Sequence, residues 1–418
     1  MRVLHIAPAI FGEGGVFGGG ERYALELARH MADEVETVLL TFGPHERRER
    51  IGNLEVRVIG NPWYVRGQRD NPLALSMLTH LRGIDVVHCH QQHLLATSLA
   101  ALACRLTRKR VFVTDLGGGG WDLSAYVSTD RWFDGHLHLS EYSRTYFSAP
   151  NSTHFSDPVS STSRPDFSDP FSAPDGRDFS EDSRRDFGDH GSDDFCQRVK
   201  ANAHVIFGGV DIDKFSPGTT AITGDGSIAY AGRLLPHKGV NDLITAMPPE
   251  MELKIIGRVT DPRYLADLHR LAEGKRVAFL HDCDDAGLIR EYRGALCVVL
   301  PSVYRTIYGD ETRVPELLGQ TLLEGMACGR PVICTRVASM PEIVEDGVCG
   351  FIVPPNDPAT LGDRIRWLRE HPAEAVAMGM AGRQRVLDKF TWPKVVRRCL
   401  EIYAGAPANP SEHPAPVK

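Results

Sequence analysis

Two glutamates, Glu316 and Glu324, stand with seven residues between them in the stretch PELLGQTLLEGMACGRPVICT, and Gly319 lies between the two. The preceding run LCVVLPS reads as a strand, and the carboxyl end of such a strand is where open α/β sheets bind ligands. A helix beginning near Gly319 offers unpaired N–H groups and the positive end of its dipole to an anion. A glycine there lets a phosphate approach the backbone. Glu324, about one and a half turns further on at 3.6 residues per turn, can accept from neighbouring hydroxyls, as on a ribose. Glu316, in the preceding loop, can accept from another set, as on a sugar. Taken singly, both also suit solvated surface acids.

A second constellation is YAGRLLPHKG, where a strand ends at Gly232 and two cations follow, Arg233 and Lys238. A planar guanidinium and a point-charge ammonium together suit a diphosphate. A third is the glycine-rich turn around Gly18, Gly19 and Gly20, between a first strand and the helix GERYALELARHMAD, where backbone N–H groups could cradle an anion. The dinucleotide fingerprint GxGxxG is missing there, and the second strand lacks the acid that would hold a ribose, which argues against a nicotinamide cofactor. In VFVTDLGGGGWDLSAY, Asp115 is the acid at a strand end ahead of four glycines.

His88, His90 and His93 in VHCHQQH resemble metal ligands, with His88 and His90 on one side of a strand. No carboxylate accompanies them at ligand spacing, so no metal is expected. Asp284 in HDCDD reads as a helix N-cap rather than a ligand.

These residues need a scaffold. From Arg2 to about Ser143, short apolar runs alternate with helical stretches: RVLHIAP, VETVLLTF, LEVRVIG, IDVVHCH, RVFVTDL and HLHLS read as strands. Runs without clean polar alternation suit a parallel sheet covered on both faces. A second series begins after ANAHVIFGGVDIDKFSP, with SIAYAGRL, MELKIIG, VAFLHDC, ALCVVLPS, PVICT and GFIVPP. The expectation is an α/β protein of two doubly wound domains, 1–210 and 211–390, with a hinge near Asp211 to Pro217. A closing helix at 391–405 and a disordered tail at 406–418 complete it.

Between Ser148 and Phe195 the composition breaks into Ser, Asp, Pro and isolated Phe. The segment carries eleven acidic and four basic residues, which accounts for the whole net charge of −7. It is expected to be a disordered insertion at 148–195. The remaining chain is balanced, so charge gives no argument for nucleic acid. Nine scattered cysteines without a CxxC pair suit reduced thiols. The opening MRVLHIAPAIFGEGG does not read as a signal peptide, and no apolar run approaches the length of a membrane span. A soluble, cytoplasmic protein is expected, with the inner face of the membrane left open. The basic clusters HERRER and RLTRKR read as solvated helix ends that could give weak peripheral membrane contact.

Taken together, AGRLLPHKG, ELLGQTLLEGMACGRPVICT, MPEIVEDGVCGFIVPPND, FTW, GGGERYALELARHM and VIFGGVDIDKFSP resemble the retaining nucleotide-sugar glycosyltransferases of family 4, the "glycosyl transferases group 1" type with GT-B architecture. The resemblance covers nearly all of the ordered chain. It implies two Rossmann-like domains facing a central cleft, the first on the acceptor side and the second holding the donor. It implies that Glu316 contacts the donor sugar and Glu324 the ribose, that Arg233 and Lys238 bind the diphosphate, and that the backbone around Gly319, Gln320 and Thr321 completes the phosphate grip. Gly18, Gly19 and Gly20 would lie across the cleft, and the nucleobase near His281. The implied partners are a nucleotide-sugar donor and a carbohydrate or lipid-linked acceptor, with no cofactor beyond the donor as co-substrate. The family often places a histidine after the TD of the fifth strand. Here Leu116 stands there, leaving Asp115, or a histidine of HCHQQH, to take part of that role. A non-catalytic nucleotide-sugar-binding or scaffolding protein of the same architecture is the alternative.

Overall fold

The computed structural model describes residues 1–11, 19–117, 119–147, 202–218, 226–312 and 315–405. The expected disordered segments 148–195 and 406–418 lie outside them.

Among the described residues, ten strands belong to the first half: β1 (Arg2–Ile10), β2 (Glu36–Gly43), β3 (Arg47–Ile51), β4 (Leu54–Gly60), β5 (Trp63–Tyr64), β6 (Pro72–Leu73), β7 (Val86–His90), β8 (Arg110–Thr114), β9 (Gly135–His138) and β10 (Ala203–Val205). Eight of them form one sheet in the order β10-β9-β8-β7-β1-β2-β4-β3, and β5 and β6 pair as a separate two-stranded ribbon. All neighbours in the large sheet run parallel except β3, which lies antiparallel on the edge against β4. The basic cluster HERRER is therefore not a helix end. Its RRERI forms β3, where the ladder to β4 and the open edge accommodate alternating charged side chains.

The second sheet contains β11 (Ser227–Ala231), β12 (Leu253–Ile256), β13 (Val277–Leu280), β14 (Ala295–Leu300), β15 (Val332–Thr335) and β16 (Gly350–Val353). Its order is β13-β12-β11-β14-β15-β16, with every pairing parallel. β14 is buried along its whole length, as its unbroken apolar run ALCVVL requires. In both sheets the order reverses beside the first strand, between β1 and β7 and between β11 and β14. Such switch points open crevices at the strands' carboxyl ends.

The helices are α1 (Gly19–Met31), α2 (Leu95–Leu106), α3 (Glu141–Phe147), α4 (Val240–Ala246), α5 (Pro262–Leu271), α6 (Asp285–Gly294), α7 (Gln320–Ala327), α8 (Met340–Ile343), α9 (Pro358–Glu370), α10 (Pro372–Lys389) and α11 (Trp392–Ala404). α11 returns from the second half to the first. Its Trp392 ring packs on Tyr23 and His30 of α1, and its Tyr403 hydroxyl donates to His88 Nδ1 over 2.6 Å. The connecting chain passes beside this helix, where a Cβ on Gly209 would collide with the Trp392 ring. One apolar cluster consequently includes Val3, Leu27 and Leu137 of the first half together with the core of the second. None of the described helices is long and apolar enough to cross a membrane. The eight described cysteines are all free thiols.

Candidate active site

The switch point of the second sheet gathers Lys238, Glu316, Gly319, Gln320, Thr321 and Glu324 of the expected residues. Lys238 lies in a short 3-10 turn after β11, and Glu316 lies in the loop after β14. Their side chains meet at 2.6 Å, with 13 % and 14 % exposure. Lys238 also donates to the Pro315 carbonyl, and Ser302 to Glu316 Oε2 at 3.4 Å. The other Glu316 oxygen accepts from the Gly319 N–H at 3.4 Å. Gly319 caps α7 with φ 67°, in the left-handed region where a side chain would be strained. Thus a cation, a carboxylate and a helix start are already assembled, the first two neutralising one another.

Glu324 lies within α7 and is 5 % exposed. The Tyr292 hydroxyl of α6 donates to its Oε2 over 3.1 Å, and Gln320 Nε2 lies 3.5 Å from its Oε1. Burial pushes the Glu324 carboxyl up, against the downward pull of Arg22 and the Tyr292 hydroxyl. Gln320 also donates to the Gly209 carbonyl of the connecting chain, and Thr321 to the Ala231 carbonyl at the end of β11. Arg233 is exposed beside them.

The first half faces this crevice. α1 opens with Gly19 and Gly20, so these two glycines form a helix start rather than a turn, and Gly18 lies outside the described residues. Gly20 packs against Leu116, and Leu317 lies against Gly117. Arg22 of α1 reaches across to Asp285 at 3.4 Å. Burial works against the charged guanidinium, but Glu324 and Asp285 more than offset it and hold its pKa above the ordinary value. Asp115 is 6 % exposed, and its Oδ1 accepts from Gln91 Nε2 and from the Gly117 N–H, each at 3.1 Å. It holds the glycine loop in shape. His281 Nδ1–H donates to the Gly257 carbonyl over 2.9 Å, at the adjoining ends of β12 and β13. Asp284 caps α6 by accepting from the Gly287 N–H over 2.7 Å.

The histidines sort differently from their spacing. His93 stands in the loop after β7, beside Ser124. Its place near His88 and His90 is taken by His5, which β1 brings opposite His88. The ligand atoms of His5, His88 and His90 all lie within 4.8 Å of one another; Glu26, His30 and Asp211 form the other such group among the described residues. Arg29 already pairs with Glu26 and Asp211 in the second group. In the first, the contacts fit neutral imidazoles: His88 accepts from Tyr403 and donates to Thr114, and His5 Nε2 donates to Met31 Sδ. His5 Nδ1 then accepts from His90 Nε2 over 2.8 Å, leaving His90 Nδ1 as a lone pair without a partner. Burial holds all three pKa values well down, that of His5 at about 3.

Arg22 and Tyr292 were not anticipated. Arg22 stands two residues after the glycine run that follows the first strand, a position that marks a ligand-facing helix start. Tyr292 gives no comparable signal, since an aromatic residue in REYRG reads as core.

The profile described as Glycosyl transferases group 1 matches residues 211–385, and the one described as Glycosyltransferase Family 4 matches residues 17–141. Among curated proteins, an alpha-maltose-1-phosphate synthase of Mycobacterium tuberculosis is 31 % identical over 227 residues, covering 48 % of this chain and 56 % of its own length. A GDP-mannose-dependent alpha-(1-6)-phosphatidylinositol monomannoside mannosyltransferase of Mycolicibacterium smegmatis is 32 % identical over 216 residues, covering 47 % of this chain and 55 % of its own. The chain spans about half the length of the curated relatives it matches. In fold, it resembles the Anabaena protein HepE solved with UDP and glucose, with a TM-score of 0.66, 18 % identity, and coverage of 97 % of this chain and 100 % of that one. Two parallel α/β sheets meeting at their carboxyl edges, and two profiles matching one half each, lead to one assignment: the chain belongs to the group 1 glycosyltransferases and has the GT-B architecture.

Proposed function

We propose that the protein transfers a sugar from a nucleoside diphosphate sugar to an acceptor hydroxyl, with retention at the anomeric carbon. One observation carries the reading: the Lys238–Glu316 pair set at the glycine cap of α7, with Glu324 further along the same helix. In this reading the donor's diphosphate sits at the helix start and draws Lys238 off Glu316. The freed carboxylate then accepts from the sugar's hydroxyls, while Glu324 accepts from the ribose. Arg233, Lys238 and the helix dipole stabilise the leaving nucleoside diphosphate, a charge stabilisation that requires neither metal nor prosthetic group. The bond from the anomeric carbon to the phosphate oxygen breaks as the acceptor oxygen bonds on the same face, and the leaving phosphate takes the acceptor's proton. Asp115 acts by holding the loop that meets Leu317. The nucleobase lies by His281. HepE, which shares the fold, was solved in complex with UDP and glucose, which supports a nucleotide-sugar reading.

The test is a thermal-shift screen against UDP-, GDP- and ADP-sugars in the presence of a chelator, followed by assay of nucleoside diphosphate release. A donor at about 100 times its Kd adds about 2.7 kcal/mol of stability. One nucleotide class should give that shift. No shift at millimolar donor overturns the donor site, and a shift without transfer or hydrolysis on a broad acceptor panel overturns the catalytic reading.

A further inference from the structure

The carboxyl edge of the first sheet carries a second cavity, of about 380 Å³, lined by His93 and by the run from Ser124 to Asp130. It lies after β7 and β8, beside the loop whose Gly117 stands against Leu317 and whose Gly119 stands against His93. Its floor is polar: Ser124 Oγ lies 3.4 Å from His93 Nδ1, Asp130 accepts from Gln92, and Thr129 is buried. Its wall is aromatic. Tyr126 is 73 % exposed, and its ring meets Trp121 edge-on at 6.2 Å. The Arg66 guanidinium, in the turn after β5, covers Trp121 at 4.4 Å, and Trp63 of β5 is 63 % exposed. The two loops are fastened together, since Gln68 accepts from the Trp121 N–H over 2.9 Å and Asn71 donates to the Trp121 carbonyl over 2.8 Å.

We propose that this cavity and its aromatic wall form a subsite for a neutral saccharide, so that the acceptor is an oligosaccharide. The proposal rests on the glycosyltransferase reading above. A pyranose offers an apolar C–H face ringed by hydroxyls. Exposed rings held beside hydroxyl, imidazole and carboxylate groups match both features. The cavity's lining carries one carboxylate, Asp130, and no lysine or arginine, and the guanidinium of the wall, Arg66, is stacked on the Trp121 ring, which favours a neutral sugar over a sugar phosphate or a lipid head group. Its volume is in the range of small-ligand pockets. Large aromatic side chains standing open to water on a fastened loop are otherwise unused by the fold.

The experiment has two parts, run on the full chain. Saturation-transfer NMR with neutral gluco-, galacto- and manno-oligosaccharides reads binding without any donor. Acceptor kinetics, with the donor identified in the thermal screen, compare the parent with Tyr126→Ala, Tyr126→Phe and Trp63→Ala. At least one neutral oligosaccharide should bind and serve as acceptor. Tyr126→Ala should raise its KM about tenfold, Tyr126→Phe should leave it near the parent value, and donor affinity should be unchanged throughout. The proposal is overturned if no neutral oligosaccharide binds, if Tyr126→Ala and Trp63→Ala both leave the acceptor KM within about twofold, or if only sugar phosphates or phosphoinositide vesicles act as acceptors. Failure of the donor screen shows separately, because the NMR arm needs no nucleotide sugar.

Discussion

Acidification should unfold this protein through its buried histidines. His5 is fully buried with a pKa of about 3, and His138, 5 % exposed, is likewise held at about 3 by burial and by His136, Arg144 and His204. The unfolded chain takes these protons near the ordinary histidine value of about 6.5. A histidine whose folded pKa is depressed contributes full stability above the unfolded pKa and loses it as pH falls toward the folded one. Between pH 7 and pH 5, each of the two therefore removes about 2 kcal/mol, about 4 kcal/mol together. Asp242 opposes this: burial raises its pKa to about 6, so the folded state gains a proton before the unfolded chain does. That returns about 1 kcal/mol over the same interval, so these three groups alone leave a loss of about 3 kcal/mol, a large share of a typical folding free energy, and His88, His90, His204 and His237, whose pKa values burial also lowers, add to it. The geometry supplies the cause for His5, because its Nδ1 lone pair is occupied by His90 and a second proton has no acceptor. Urea unfolding at pH 7 and pH 5 measures the effect, and His5→Gln, neutral at both, should shrink the loss by about 2 kcal/mol. Equal or greater stability at pH 5, or an unchanged loss in His5→Gln, would refute the reasoning. The consequence reaches the cleft, since His88 in the same cluster anchors Tyr403 of the closing helix.

Other perturbations probe the cleft directly. Glu316→Gln should keep donor affinity within a few-fold while lowering the transfer rate about 10²-fold, measured by steady-state release of nucleoside diphosphate. Tyr292→Phe removes a donor to the buried Glu324 carboxylate and should cost about 1.5–3 kcal/mol, read by urea unfolding. Gly319→Ala forces a side chain into φ 67° and should lower stability by about 1 kcal/mol or more, together with donor affinity. Glu342 accepts from the Glu141 and Tyr142 N–H groups at 2.7 and 2.6 Å, tying α3 of the first half to the second. Glu342→Ala should cost about 1–3 kcal/mol and speed amide exchange at the start of α3.

Much of the fold is legible because parallel strands buried on both faces are written as continuous apolar runs. RVLHI, ALCVVL and PVICT announce themselves in this way. RRERI does not, because an edge strand exposes its side chains and its pairing comes from β4 rather than from its own pattern. The two-residue strands β5 and β6 are too short to show a period. Of the residues proposed to hold the donor, Gly319 and Glu324 are legible because they share one helix and its cap, and Glu316 because it stands in the loop just before that cap. The direct pairing of Lys238 with Glu316 is not, since it is fixed by which strands are neighbours in the sheet. The same holds for the histidines. Spacing grouped His93 with His88 and His90, whereas the register of β1 on β7 supplies His5. Arg22 meets Asp285 only because the two halves face each other.

The account's central claim is that the crevice at the β11–β14 switch point holds a nucleoside diphosphate sugar through Lys238 and Glu324. Calorimetric titration of UDP-, GDP- and ADP-sugars, with a chelator present, into the parent protein and into Lys238→Ala and Glu324→Ala tests it most directly. The account predicts saturable binding of one nucleotide class to the parent and a loss of at least about tenfold in affinity in each variant. Binding that persists unchanged in both variants, or that is absent from the folded parent, would contradict it.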